Sequence, residues 1–160
     1  MFVLGIDPGL STTGYGLVEG AHPPRAHRAG VIRTSTDQTT PQRLADLHQG
    51  LTDVIADTTP DVIALETVFT NRNLQTAISV GRASGVALLT AAEAGLPVFE
   101  YVPTAIKSAV TGDGSANKGQ VQEMVTRLLR LKEPPRPADA ADALAIALCH
   151  LRVAPLEASR

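Results

Sequence analysis

Three short apolar runs near the start of the chain constrain the fold more than any other feature of this sequence. They read FVLGID (2–7), TGYGLVEG (13–20) and AHRAGVIRT (26–34), with Pro8-Gly9 and the turn AHPP between them. Short apolar runs bounded by turn residues are typical of buried strands. Because few residues separate the three runs, we expect them to pair as antiparallel neighbours through hairpin connections.

The rest of the chain alternates between helical and strand patterns. Residues 43–58 carry leucines at helical spacing, and the continuous apolar run DVIALET predicts a strand buried on both faces and parallel to the first. A long helix (73–95), a fifth strand (98–102) and helices over 103–112, 120–131 and 138–153 follow. This order predicts an α/β fold, a five-stranded mixed sheet with helices on both faces.

Length and composition fit one globular domain. The chain has 160 residues, of which 44% are hydrophobic and 19% charged, without a linker or an internal repeat. We expect one domain over residues 1–154 and a short tail over 155–160. The segment MFVLGID has no basic leader, and no apolar run reaches the length of a membrane span, so neither a signal peptide nor a membrane partner is expected.

The cysteine count and net charge add two further constraints. Cys149 is the single cysteine of the chain, which excludes an internal disulfide and predicts a cytoplasmic protein. It lies on an apolar helix face, where a buried, inert thiol is expected. The net charge of −2 argues weakly against nucleic acid binding. An acidic metal site can still be flanked by a basic groove, so the charge alone does not decide the matter.

Four carboxylates are predicted to converge at one edge of the sheet. Asp7 ends the first strand, and Glu66 lies near the end of the fourth, so parallel pairing would bring both to the carboxyl edge, where open α/β sheets place their ligands. Asp139 and Asp142 are three residues apart and share one face of the last helix. An apolar stripe would press that helix onto the sheet near the same edge: Leu144, Ala147, Leu148 and Leu151.

Such a cluster predicts metal-dependent chemistry. Four neighbouring carboxylates repel one another unless cations compensate their charge. Hard oxygen ligands that leave part of the coordination shell open suit Mg²⁺ or Mn²⁺. Two such ions can activate a water molecule and stabilise the leaving oxygen in phosphodiester hydrolysis. Taken singly, the acids have simpler explanations, since Asp7 could be a turn residue and Asp139 and Asp142 could complement the helix dipole. Glu66, surrounded by apolar residues, fits such an explanation less well.

Several segments together resemble the RuvC family of Holliday junction resolvases. They are GIDPGLSTTGYG, ALETVFTNRN, GRASGVALL, VFEYVPTAIKSAVTGDGSANKGQV and DAADALAIALCH, in this order from about Phe2 to Leu151. GIDPG alone is weak, because many ribonuclease H-like and actin-like proteins carry D-x-G near the start. DAADALAIA together with ETVF and the GDGSANKGQV loop is specific.

The resemblance implies a fold, an activity and partners. It implies a ribonuclease H-like fold and a homodimer that nicks two opposed strands of four-way junction DNA with two Mg²⁺ or Mn²⁺ ions per active site. It also implies cooperation with a branch-migration complex, RuvA and RuvB. Asp7, Glu66, Asp139 and Asp142 match the metal-binding and catalytic acids of the family. The sequence departs from the family pattern in its short, weakly basic end and its acidic net charge.

Further residues match family positions that contact DNA. Phe69 matches an aromatic residue that contacts unpaired bases at the junction, and Lys107 and Lys118 match basic residues near the scissile phosphate, so that Lys118 is also a catalytic candidate. Ser115, in the GDGSANKG loop, is assigned to DNA binding with them. Four polar or basic residues after Phe69 could line a DNA groove: Asn71, Arg72, Asn73 and Arg82.

These residues also have structural explanations. Phe69 could be a core side chain rather than one that stacks on a base, a contact worth about 1–3 kcal/mol. Lys118 ends a Gly/Ser/Asn loop before a helix, which suits phosphate contact, although a solvated surface lysine is the simpler interpretation. The residues after Phe69 are also explained by a solvated helix start. Gly81 and Gly85 in GRASG share a helix face that could pack on the sheet or form a dimer contact.

Three alternative functions remain at the level of sequence. An actin-like ATPase could use GIDPGLSTTGYG as a phosphate loop, but the second loop and second domain of such proteins are not evident. A non-catalytic scaffold for branched DNA would not need four acids. A related small RNA nuclease would share the acids, whereas the FTNRN and GDGSANKG segments favour the junction-specific family. Cleavage sequence, the choice of ion and the division of the acids between two ions are left open.

Overall fold

The five predicted strands form one mixed sheet. The computed structural model describes residues 1–67 and 73–157. Its strands pair in the order β3-β2-β1-β4-β5. The pairs β1–β2 and β2–β3 are antiparallel, and the pairs β1–β4 and β4–β5 are parallel. They are β1 (Phe2–Asp7), β2 (Thr12–Glu19), β3 (Arg25–Arg33), β4 (Val62–Glu66) and β5 (Val98–Tyr101). The predicted hairpins and the parallel pairing of the first and fourth strands are confirmed, and the architecture is ribonuclease H-like.

Five helices cover the two faces of the sheet. They are α1 (Thr40–Thr58), α2 (Leu74–Glu93), α3 (Pro103–Thr111), α4 (Lys118–Leu128) and α5 (Ala138–Glu157). Because side chains alternate along a strand, Leu4 and Ile6 pack with α1 and α2, whereas Val3 packs with α3, α4 and α5. Within the described residues, no helix combines the length and apolar character needed to cross a bilayer.

Helix α5 is buried on nearly all sides, so the apolar stripe predicted from the sequence accounts for only part of its burial. Residues 143–150 are each at most 2% exposed, because α5 contacts the sheet on one side and α3 and α4 on the other. The stripe that begins at Leu144 explains only the contact with the sheet. Asp142 is the exception in this part of the helix, since its side chain reaches the surface.

Glycines let α5 approach the sheet closely. Gly5 and Gly14 lie on β1 and β2 where the backbone of α5 crosses them. A methyl group on Gly5 would overlap the carbonyl oxygen of Ala143, and one on Gly14 would overlap that of Asp139. The first turn of α5 is therefore fixed directly against the strand next to Asp7, since Gly14 pairs with Asp7 across the ladder.

Adding one methyl group at this contact should be severely destabilising. We expect Gly5→Ala to lower the free energy of unfolding by more than about 3 kcal/mol, because the methyl meets helix backbone that cannot turn away. Urea unfolding followed by circular dichroism measures the change. Gly50→Ala is the matched control: its new methyl meets only the side chain of Ile32, so a change within about 1 kcal/mol is expected. Equal losses for the two variants would contradict the role of this contact.

Candidate active site

A cleft opens at the carboxyl edge of the sheet, where β1 and β4 end. Asp7 is the last residue of β1 and Glu66 the last of β4, and parallel pairing of the two strands brings both to this edge. The cleft has a volume of about 280 Å³. Its remaining walls come from α3, α4 and α5: Pro103, Ile106, Lys107, Lys118, Val121, Asp142 and Ala145.

The two aspartates of α5 differ in their relation to the cleft. Asp142 lines the cleft with Glu66, and its side chain is 26% exposed. Asp139 is one turn earlier, where its backbone contacts Gly14 of β2, and it is not part of the cleft wall. Both are nevertheless close enough to Asp7 to act on it electrostatically. Of the four carboxylates predicted to converge, Asp7, Glu66 and Asp142 line one cleft, and Asp139 does not.

Asp7 is the electrostatic centre of the site. Burial removes water from its carboxylate, and the charges of Asp142, Glu66 and Asp139 oppose its ionisation. Together these effects raise the pKa of Asp7 to about 7, although Lys118 acts in the opposite direction. A carboxylate whose ionised form is destabilised by burial and by neighbouring negative charge strongly attracts an added cation.

Lys118 supplies positive charge beside the acids. Its Nζ lies 2.8 Å from Oδ2 of Asp142, and this hydrogen bond is the main cause that raises the pKa of Lys118. Helix α4 begins at Lys118, two residues earlier than predicted, because Asn117 and Gln120 form a capping box. The lysine thus projects from the first turn of a helix, not from a loop, and its side chain remains 61% exposed.

The donor set fits a hard divalent cation. Asp7, Glu66 and Asp142 offer carboxylate oxygens at one cleft, and the pKa of Asp7 is raised first by burial and then by its acidic neighbours. Across residues 1–67 and 73–157, no three His, Cys, Asp or Glu side chains are drawn together closely enough to hold a metal ion. The chemistry of the site fits Mg²⁺ or Mn²⁺.

Comparison with protein families identifies the chain. The family model described as crossover junction endodeoxyribonuclease RuvC matches residues 3–150. This chain belongs to the RuvC family. The RuvC of Salinispora arenicola is 52% identical over 153 residues, which cover 94% of this chain and 87% of that protein. The RuvC of Chloroflexus aggregans is 50% identical, with 97% of this chain and 95% of that protein covered.

Solved RuvC structures match over almost the whole chain. Thermus thermophilus RuvC has a TM-score of 0.90 and 40% identity, with 98% of this chain and 97% of that chain covered. The same protein in complex with a Holliday junction substrate gives a TM-score of 0.92 at 40% identity, with 98% and 96% covered. The yeast mitochondrial resolvase Ydc2 shares the fold, at a TM-score of 0.68 and 18% identity over 99% of this chain and 82% of that chain.

The other residues expected to bind DNA in a RuvC-family chain lie at varied distances from the cleft. Lys107 of α3 lines it. Ser115 is exposed in the loop before α4, where its backbone and hydroxyl donate hydrogen bonds to Oδ1 of Asp113 and lower the pKa of that residue. Asn73 caps α2 by accepting from the N–H of Gln75, and Arg82 is exposed further along α2. Three predicted residues lie outside the described part of the chain: Phe69, Asn71 and Arg72.

Sequence reasoning missed one arginine that braces the site. Arg43 donates from Nε to Oγ1 of Thr34 at 2.9 Å and from Nη2 to Oγ of Ser11 at 2.8 Å. Thr34 in turn donates to the carbonyl oxygen of Leu10. These bonds tie the turn after Asp7 to β3 and α1. No local sequence signal predicts them, because the three residues come from separate elements.

The pKa of Asp7 leads to a prediction about stability and pH. The folded protein retains the Asp7 proton up to a pH of about 7, whereas the unfolded chain releases it near pH 4, a difference in pKa of roughly 3. Metal-free wild-type protein should therefore lose stability as the pH rises from about 4 to about 7. The side chain introduced by Asp7→Asn cannot ionise. The free energy of unfolding of Asp7→Asn minus that of wild type should therefore be about 2 kcal/mol larger at about pH 8 than at about pH 5.

Urea unfolding in EDTA at the two pH values measures this difference. Asp46→Asn, on the exposed side of α1, controls for the change in net charge. If the free energies of unfolding of Asp7→Asn and wild type differ by the same amount at both pH values, the perturbed ionisation of Asp7 is contradicted.

Proposed function

We propose that this chain resolves Holliday junctions by nicking two opposed strands symmetrically during recombination and DNA repair. The observation that carries the proposal is the cleft in which Asp7, Glu66 and Asp142 meet Lys107 and Lys118, in a chain that belongs to the RuvC family. A relative of 40% identity and nearly the same structure is described in complex with a Holliday junction substrate. Four-way junction DNA is therefore the proposed substrate.

The proposed cofactor is a pair of Mg²⁺ or Mn²⁺ ions held by Asp7, Glu66, Asp139 and Asp142. Metal dependence is typical of the family. When bound, such ions lower the pKa of an attacking water and stabilise charge on the leaving oxygen. The charges of Asp142, Glu66 and Asp139 all act on Asp7, which supports its role as the shared ligand. Cations also compensate the repulsion that raises the pKa of Asp7, so ion binding and loss of its proton should go together.

The residues of the cleft account for the hydrolysis. The water oxygen attacks phosphorus, the bond to the 3′ oxygen breaks, and the products are a 3′-hydroxyl and a 5′-phosphate. Negative charge builds on the phosphoryl oxygens in the transition state, and the ammonium groups of Lys118 and Lys107 are placed on two walls of the cleft to stabilise it. The contact with Asp142 orients Lys118 before DNA binds.

The remaining DNA contacts are proposed from the family resemblance. Phe69 would stack on an unpaired base at the junction. Asn71, Arg72 and Asn73 precede or cap α2, and Arg82 follows two turns later on an exposed face, which suits contact with the backbone of an arm. Ser115 would bind near Lys118, since both lie at the loop that leads into α4.

The cleavage assay is the direct test of function. Wild-type protein should cut a synthetic four-way junction with Mg²⁺ or Mn²⁺ in paired symmetric positions, leave a matched duplex and single-stranded RNA intact, and lose activity in EDTA. Asp7→Asn should lower the cleavage rate by at least about 10³-fold, because removing a central catalytic group typically costs this much. Junction binding should remain within a few-fold of wild type.

Asp46→Asn is the matched control, since it removes a carboxylate far from the cleft. Near wild-type cleavage by Asp7→Asn would overturn the assignment of the acids. Binding without cleavage under every metal would indicate a scaffold, and cleavage of RNA alone would indicate a different substrate.

A homodimer follows from the need for two symmetric cuts, and helix α2 supports it. An apolar stripe on α2 faces solvent: Leu74, Ile78, Leu88 and Leu89 are 74%, 47%, 37% and 54% exposed. Gly81 and Gly85 lie along the same side, and a methyl group on either would meet no other atom within 4 Å. Exposed apolar patches of this kind mark protein interfaces. We therefore assign the stripe to the two-fold contact between copies, with small residues where two helices cross.

A charge placed on this stripe should separate the copies. Leu89→Glu is expected to fold, because the side chain is exposed, and to shift the protein from dimer to monomer in light scattering. Paired cleavage of the junction should fall at least tenfold, since one copy holds only one site. Ala45→Glu adds the same charge to an exposed position on α1 and should change neither property. A Leu89→Glu protein that stays dimeric would place the interface elsewhere.

The remaining expectations rest on the family and on the sequence. We propose that residues 1–154 act as a single nuclease domain, with 155–160 as a tail. Cooperation with the RuvA and RuvB branch-migration complex is proposed because the family resolves the junctions that such a complex moves. A cytoplasmic location is consistent with a single buried cysteine, Cys149, whose thiol pKa is raised to about 11 by burial.

A further inference from the structure

A second set of basic side chains lies along β3 and the segment before α5, outside the lining of the cleft. It comprises Arg33 at the end of β3 and Lys132 and Arg136 in the segment before α5, and we call it the β3-side basic surface. All three side chains are exposed. Neither this group nor its part of the fold entered the assignment of the active site.

The strand register places Arg33 beside the first turn of α5. Arg33 pairs with Thr12, and Val31 pairs with Gly14. Directly paired residues of an antiparallel ladder share a face. Gly14 contacts the backbone of Asp139 on the α5 face of the sheet. Arg33 therefore projects from the same face, two residues further along β3 towards the carboxyl edge.

The segment before α5 runs along the same strand. With residues 26–29 of β3 it encloses a groove of about 620 Å³ whose lining includes Lys132, Arg136 and Leu144. Arg33 lies four residues further along the strand, beyond the end of this groove. Two other basic residues of this strand already have acidic partners, since His27 contacts Glu19 and Arg28 contacts Asp57.

The three side chains of the β3-side basic surface carry charges that no described acidic side chain pairs with. In the described part of the chain, none of them takes part in an ion pair. Glu133 is the one acidic residue among the described residues that line the groove. The surface therefore carries a local positive excess in a chain whose net charge is −2, and its natural ligand is a polyanion.

Distance fits this surface to the substrate of the adjacent cleft. Neighbouring strands are about 4.8 Å apart, so β3 lies about 10 Å from β1, which carries Asp7. At about 3.4 Å of axial rise per nucleotide, that span corresponds to roughly three nucleotides of one DNA strand. A strand with its scissile phosphate in the cleft would thus bring a phosphate about three nucleotides away onto the surface.

We propose that Arg33, Lys132 and Arg136 bind the phosphate backbone of the duplex arm that leaves the active site on the β3 side. The inference rests on the proposed junction-cleaving function and extends it to a surface opposite Lys107 and Lys118. The two basic flanks hold the arm on both sides of the acids. The contact is to phosphate and not to bases, so it positions the arm without reading its sequence.

The test measures junction binding as a function of salt. Fluorescence anisotropy with a labelled four-way junction is performed on Asp7→Asn protein, which does not cut, with and without Arg33→Gln or Arg136→Gln. Each substitution should weaken binding several-fold at 0.1 M salt and reduce the slope of log affinity against log salt by about 1 to 2, because a dimer presents each residue twice.

Arg127→Gln is the matched control. It removes one exposed arginine from the last turn of α4, outside the linings of the cleft and of the groove. Its affinity and salt slope should stay at the wild-type values. An equal loss for Arg127→Gln, or no loss for Arg33→Gln and Arg136→Gln, would overturn the proposal.

Neutral phosphates locate the contact. Single methylphosphonates are placed two to five nucleotides from the scissile phosphate, on either side. One position, about three nucleotides away, should weaken binding to the protein with Arg33 but not to Arg33→Gln. Additive losses at every position would contradict a direct contact. Failure of this inference leaves junction cleavage by wild-type protein intact, whereas absence of both cleavage and binding by wild-type protein would instead refute the proposed function.

Discussion

The close contact between helix α5 and the glycines of β1 and β2 is the constraint on which the rest of the structure depends. Side chains on Gly5 or Gly14 would force the helix away, and with it half of the acids of the site. The same helix forms the centre of the core on its face of the sheet. Folding and assembly of the active site are therefore one event, because the packing that buries residues 143–150 also sets Asp139 and Asp142 beside Asp7.

This rigid packing also holds like-charged carboxylates close to Asp7. A free carboxylate would move away from its like-charged neighbours, but Asp7 is held at a strand end and its neighbours by β4 and α5. Lys118 lowers the pKa of Asp7, but burial and the charges of Asp142, Glu66 and Asp139 outweigh this effect and keep the pKa near 7. The protein thus maintains a site that favours added positive charge.

Much of this could be predicted from the sequence, because local patterns encode strands, helices and their order. The placement of Asp7 and Glu66 at one edge follows from strand ends and parallel pairing. What the sequence could not provide depends on contacts between distant elements. The stripe of α5 does not predict that α3 and α4 cover its other side, and an arginine such as Arg33 at a strand end is typical of any solvated edge. The separation of Asp139 from the cleft wall depends on the register of α5 against Gly14. The assigned roles of the site residues remain predictions, those of Phe69, Asn71 and Arg72 among them.

The division of the acids along the chain has a consequence for the newly made protein. Asp7 and Glu66 emerge from the ribosome early, whereas Asp139 and Asp142 belong to the final helix. Until α5 has been synthesised, the sheet lacks the helix that packs on its glycines, and the early acids lack their partners. A nascent chain therefore holds an incomplete set of these acids until α5 has been translated and has packed on the sheet.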